Sequence, residues 1–161
     1  MSDRLESLID SAPIYHNNAS HDCAGILEAF EIAGVGVDSV VAVSQCKFGT
    51  ANIEALVDDD TIAFVHPTGV ICTAGKRKMI GKSVKFKTID FARCRDFGPV
   101  EYTDRRGFGK FGIEFGGAGN VLLGRLHWTW AAKRFRDATE EIIAVAEERD
   151  RIMSIVSGLV G

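Results

Sequence analysis

The feature that most constrains this chain is its last long stretch, from Thr129 to Val156, which reads as one amphipathic helix. Trp128, Phe135, Ile142 and Val156 fall on one set of seven-residue steps, and Ala131, Ala138, Val145 and Ile152 fall on another. Together they make an apolar stripe of the kind a helix turns toward a core. The opposite face is charged: Lys133, Arg134, Arg136, Asp137, Glu140, Glu141, Glu147, Glu148, Asp150 and Arg151. Thr129 is expected as the N-cap and Gly158 as the stop. From Val37 to Leu126 the chain reads as short strands. A lone helix after such a run has to cover the open face or end of their sheet.

The expected class is therefore α+β in one domain of 161 residues, a length that buries a sizeable core. Arg4 to Ala12 predicts a short helix with Leu5, Leu8 and Ile9 on one side, ended by Pro13. A second helix is predicted from Asp22 to Ala33, with Ile26, Leu27 and Phe30 inward and Gly34 at the C′ position. The period then changes to that of strands, first over Val37–Gln45, with Phe48-Gly49-Thr50 as a break. Ile53–Val57 and Thr61–Val65 read as a hairpin about Asp58-Asp59-Asp60. His66-Pro67-Thr68-Gly69 reads as a turn before a strand at Val70–Thr73. Ser83–Thr88 reads as a strand in which Val84 and Phe86 alternate with Lys85 and Lys87. Ile89–Phe97 reads as a bent strand or corner, and Gly98-Pro99 as an interruption. Lys110–Phe115 and Asn120–Leu126 form the last hairpin, around Gly116 to Gly119.

Motif chemistry is sparse. Gly107-Phe108-Gly109-Lys110-Phe111-Gly112 fits G-x-G-x-x-G, but a dinucleotide site needs a helix to follow, and strand-like Ile113-Glu114-Phe115 follows instead. Glycines serving a sheet edge or bulge are the expected explanation. The three aspartates lack the central glycine and distal glutamate of a calcium loop. Cys23, Cys46, Cys72 and Cys94 show neither a C-x-x-C pair nor zinc spacing, so reduced thiols and no metal are expected. Glu114 and His127 have no evident catalytic partner, so no catalytic residue and no cofactor are expected. The first dozen residues carry Asp3, Glu6 and Asp10 without a cationic start, unlike a secretory signal, and no apolar run is long enough for a membrane span. The expected compartment is the cytoplasm.

The net charge of −3 conceals a strong asymmetry. Residues 1–60 hold two basic and eleven acidic residues, whereas residues 61–110 hold eleven basic and four acidic. The basic excess gathers at Lys76, Arg77, Lys78, Lys82, Lys85 and Lys87, which would sit near the tip and along one face of a hairpin. Such a cluster suits an anionic partner, an acidic lipid headgroup before a nucleic acid, because the chain as a whole is acidic. It also suits solvated lysines that protect a sheet edge. The acidic N-terminal third would neutralise it if its helices folded back over that hairpin.

The order of elements resembles the pleckstrin-homology-like (PH-like) superfold, in particular the small bacterial PH-like domains. The resemblance is carried by Ile53–Val57 through Ile62–Val65, by Val84–Phe91, and by Ile113–Phe115, Val121–Leu123 and the helix from Phe135 to Ile152. It implies a partly open antiparallel barrel, or orthogonal sandwich, of about seven strands closed by the C-terminal helix over residues 37–161. Residues 1–36 then form a helical extension. Typical PH domains place a tryptophan inside the closing helix; here Trp128 and Trp130 stand at its entrance. The resemblance implies a non-enzymatic binding or assembly module acting through a protein partner or self-association. The alternatives are an anion-binding module using residues 76–87 and an enzyme of unrecognised type.

Overall fold

The computed structural model describes residues 2–11, 23–49, 59–74, 85–103, 109–129 and 139–160. Two helices come first, α1 (Ser2–Ser11) and α2 (Cys23–Ala33). Seven strands follow: β1 (Ala42–Gly49), β2 (Asp59–His66), β3 (Gly69–Ala74), β4 (Lys85–Asp90), β5 (Asp96–Thr103), β6 (Gly109–Gly116) and β7 (Leu122–Thr129). The chain closes with α3 (Thr139–Leu159). Every pairing is antiparallel, and the strand order is β4-β3-β2-β1-β7-β6-β5, one sheet whose two end strands have no second partner among the described residues. The sheet curls until β7 meets β4. A Cβ on Gly124 would lie 2.8 Å from the Phe48 ring and 3.3 Å from Ile89 Cδ1. An open, curled antiparallel sheet of seven strands closed by a C-terminal helix is the PH-like fold expected from the sequence.

Alternation along the strands divides the apolar residues between two cores. Cys46, Phe48, Ala63, Val65, Cys72, Ile89, Ile113, Phe115, Leu126 and Trp128 face inward and meet Val145, Ile152 and Val156 of α3. The intervening residues Val43, Ile62, Phe64 and Ile71 face outward, where Leu5 and Ile9 of α1 and Ile26 and Phe30 of α2 cover them. Phe30 meets Phe64 edge to face at 5.2 Å. β2 is therefore buried on both faces, which is why Ile62-Ala63-Phe64-Val65 reads as an unbroken apolar run. The two N-terminal helices fall where the 3.6-residue period puts them. Gly34, at φ +71°, ends α2 as expected: Val35 N–H donates to Phe30 O and Gly34 N–H to Glu31 O, the paired bonds of a Schellman cap.

Several boundaries differ from the sequence reading. The expected helix start at Thr129 is instead the last residue of β7, and α3 begins at Thr139. Trp128 fits the seven-residue stripe, but it also continues the two-residue alternation of Leu126, and cross-strand pairing with Phe111 decides the outcome. Phe135, Ala131 and Ala138 lie outside the described residues. Gly158 does not stop the helix, which runs on to Leu159 with Val160 N–H still donating to Val156 O. The strand expected at Val37–Gln45 begins at Ala42, after a 3-10 turn at Val37–Ser39, and continues through the expected break to Gly49. β2 starts within the aspartate run and pairs with β1, Asp60 opposite Lys47 and Asp59 opposite Phe48. Residues 53–57 lie outside the described residues. Gly98 and Pro99 stand inside β5, because an end strand tolerates a missing N–H on its open side. The turn at Pro67-Thr68, the corner after Asp90 and the β6–β7 hairpin occur where expected.

Candidate functional site

The basic cluster is divided by what the structure describes. Lys76, Arg77, Lys78 and Lys82 lie outside the described residues. Lys85 and Lys87 belong to β4, opposite Ala74 and Cys72 of β3. β4 is an end strand, so its second edge carries no strand partner among the described residues. Lys87 shares the inward side of the sheet with Ile89, two residues on, and at the rim its ammonium stands 5.2 Å from the centroid of the Phe48 ring. The lysine is nevertheless exposed. Its apolar stem covers the ring while the charge reaches water. Beyond β4, Arg93 and Arg95 are also exposed, and the Asp90 carboxylate accepts the Ala92 N–H at 2.9 Å to set the turn.

The acidic N-terminal helices do fold back, but onto the outer face of β1–β3, the side away from Lys87. The ion pair recorded for α1 joins Arg4 to Asp38 at 3.3 Å, both exposed.

The groups that could perform acid–base chemistry are spread over both faces of the sheet. Glu114 and His127 point away from the inner core, between the inward residues Ile113, Phe115, Leu126 and Trp128. Cys46 and Cys72 point inward. Glu114 accepts the Arg125 Nε–H at 2.7 Å across the β6–β7 pair. Cys46, Cys72 and Cys94 are free thiols. Burial pushes the Cys46 and Cys72 thiols well above the ordinary 9.0, and for Cys46 the neighbouring Cys72 and Glu148 add to the rise. Such thiols stay protonated and inert. Among the described residues no three His, Cys, Asp or Glu side chains gather as a metal site.

The glycine motif resolves structurally. Gly107 and Phe108 lie outside the described residues; Gly109 to Gly112 lies in β6, an interior strand, and only a 3-10 turn at Ala118–Asn120 separates it from β7, with no α-helix between. A Cβ on Gly112 would stand 2.9 Å from Leu126 O and 3.1 Å from the His127 Cβ. The glycine is there for the close approach of β7 rather than for a phosphate, and at an interior strand rather than the expected edge.

The charge pattern concealed a buried network beneath α3. Glu148, placed on the solvent face by the sequence, is 2% exposed. Its Oε2 accepts the Ser44 hydroxyl at 2.9 Å, and the Ser44 oxygen accepts the Trp128 Nε1–H at 2.9 Å. Arg151 closes the network, with Nε and Nη2 on the Glu148 carboxylate and Nη2 also on Val43 O at 3.0 Å. Arg149 is buried too, donating to Glu101 and Asp150 with its guanidinium over the Phe111 ring. The chain of bonds ties α3 to β1 and β7, and Arg149 ties it to β5. Every polar partner is a residue of the fold itself. The signal available in the sequence was the position of Glu148, three residues after Val145 and four before Ile152, inside the apolar stripe.

Strand order, curled sheet and closing helix define the class of this chain: a PH-like fold with a helical pair packed on its outer face. Among solved structures, a pleckstrin homology domain from Shewanella amazonensis SB2B matches 78% of this chain and 96% of that chain, at 14% identity and a TM-score of 0.31. The fold assignment rests on the strand order and closing helix, not on that likeness. No protein-family model and no curated protein matches the sequence.

Proposed function

We propose that the chain is a non-enzymatic PH-like binding module that acts by engaging a protein partner or by assembling with itself. The observation that carries this reading is the open sheet. α3 fills its inner face and α1 and α2 cover the outer face of β1–β3, while β4 ends the sheet with an exposed lysine on a strand that has no partner on its far side among the described residues. The acid–base groups support the same reading, since Glu114 and Glu148 are engaged by arginines and the Cys46 and Cys72 thiols face away from His127. The compartment proposed is the cytoplasm, where Cys46, Cys72 and Cys94, the free thiols among the described residues, stay reduced. Light scattering on size-exclusion fractions, with and without candidate proteins, tests the reading. The expected result is a mass above the monomer or a stable complex. A strict monomer that captures nothing and turns over a substrate overturns it.

Exposed Lys87 favours a second reading, in which Lys76, Arg77, Lys78, Lys82, Lys85 and Lys87 hold an acidic lipid surface. Each cation at a membrane surface contributes about 1 kcal/mol, screened over about 8–10 Å at ordinary salt. Vesicle co-sedimentation of wild type and of a variant with these six residues changed to glutamine tests it. Binding at low salt that the glutamine variant loses supports it, and equal sedimentation removes it. Deleting residues 1–35 is a poor test of whether the acidic helices mask the cations, because it also uncovers Ile62, Phe64 and Ile71.

A further inference from the structure

Resting on the protein-binding reading, we infer that the edge of β4 left without a strand partner among the described residues takes an acidic extended segment of a partner protein as an additional antiparallel strand. The ladder fixes which groups are available. Phe91 N–H donates to Thr68 O, so residues on that phase of the β3–β4 register turn their amides toward β3. Those residues are Lys85, Lys87 and Ile89. Phe86 and Thr88, on the other phase, direct their N–H and C=O groups to the open side. Six consecutive pairs without a bulge, and without proline or glycine in the strand, leave that edge straight. The other end of the sheet is blunted, because Pro99 removes a donor in the middle of β5.

Charge selects the occupant. A strand laid against β4 places a residue directly opposite Lys87 in a non-hydrogen-bonded pair, where side chains approach most closely. A glutamate or aspartate there is favoured, and a lysine is repelled. A second copy of β4 is the wrong partner. In two-fold antiparallel pairing the two in-phase registers of greatest overlap set Lys87 against Lys87, or Thr88 against Thr88 with Lys87 opposite Ile89, and neither gives a lysine an acidic partner. The lysines that guard the edge against its own kind therefore admit an acidic strand. The bound segment would add main-chain bonds at Phe86 and Thr88 and acidic side chains on the face of Lys87.

The probe is a labelled octapeptide alternating glutamate with threonine, titrated into the full chain by fluorescence anisotropy at low and high salt. Two isomers carry N-methyl groups, one at the threonine amides and one at the glutamate amides. The expected result is binding at low salt, lost on methylation of the threonine amides, which pair with Thr88, and kept on methylation of the glutamate amides. Thr88→Pro, which leaves the β3 ladder whole, should weaken binding roughly tenfold, and Thr88→Val should not. Lys87→Glu should weaken it roughly two- to fivefold for each opposed pair. Circular dichroism checks that Thr88→Pro folds; if it does not, the methylated peptides decide. Equal binding of both isomers means that charge alone holds the peptide, and no binding at low salt means that the edge takes no such strand. Either overturns the inference. Light scattering on the same samples reports assembly separately, so the wider reading stands or falls on its own.

Discussion

Removal of the Glu148 side chain tests how α3 is held. In Glu148→Ala the Ser44 hydroxyl loses its acceptor in a fully buried site, and Arg151 loses the carboxylate it grips. A hydrogen bond to a charged group contributes about 1.5–3 kcal/mol, and leaving its partner unsatisfied is part of that loss. The Arg151 contribution is smaller than for a buried pair, because its side chain is 39% exposed and water replaces the lost partner. The expected cost is about 2–3 kcal/mol. For a chain of this length each kcal/mol moves the midpoint by about 2–4 °C, so a fall of about 4–12 °C is expected by thermal unfolding. Glu148→Gln keeps an oxygen for Ser44 and should lose less than half as much. A double-mutant cycle with Ser44→Ala should show coupling between the two sites. A loss below about 0.5 kcal/mol, the range of ordinary surface changes, would return Glu148 to the solvent face where its charge first suggested it belongs.

Three further outcomes follow from the packing. Gly112→Ala should destabilise the fold by about 1–3 kcal/mol, because the added methyl meets the backbone oxygen of Leu126 at 2.9 Å; unchanged urea unfolding would mean that β6 and β7 are not so close. Cys46 and Cys72 have thiols raised by burial, so they favour the fold fully below the ordinary 9.0 of the unfolded chain, and that advantage is lost as pH climbs above it. Stability falling above pH 9 in wild type and less steeply in Cys46→Ala is the expected profile, and parallel profiles would contradict it. Deletion of residues 1–35 should expose Ile62, Phe64 and Ile71 to solvent and raise binding of a hydrophobic dye; an unaltered dye signal would show that α1 and α2 are not part of the outer core.

The fold was legible wherever one period dominated. α2 and its Gly34 cap, the Pro67-Thr68 turn and the β6–β7 hairpin carry local signals that nothing distant overrides. The junction of β7 and α3 was not legible, because Trp128 satisfies a helical and a strand period together, and only its pairing with Phe111 separates them. Pro99 misled for a related reason: it reads as a break until β5 is known to end the sheet. The β1–β2 pairing was displaced because Phe48 and Gly49 resemble a turn locally, while the Phe48 ring is wanted inside. At the candidate site, the lysine alternation placed Lys85 and Lys87 on one face of a strand, but it implied that Phe86 faces inward. The structure gives the inward side to Lys87 and Ile89, since Lys87 stands at the rim of an end strand where its charge still reaches water. Charge alone could not reveal that Glu148 is buried, because its donors are Ser44, itself bonded by Trp128, and Arg151: two distant points of the chain and its own helix.

The proposed binding role rests on an open β4 edge, and amide hydrogen exchange resolved by residue measures that edge directly. The expected pattern alternates along β4. The amides of Lys87 and Ile89, which face β3, exchange slowly, and those of Phe86 and Thr88, which face the open side, exchange fast. Slow exchange at all four positions in the free protein would show that the edge is already covered, and would contradict the account.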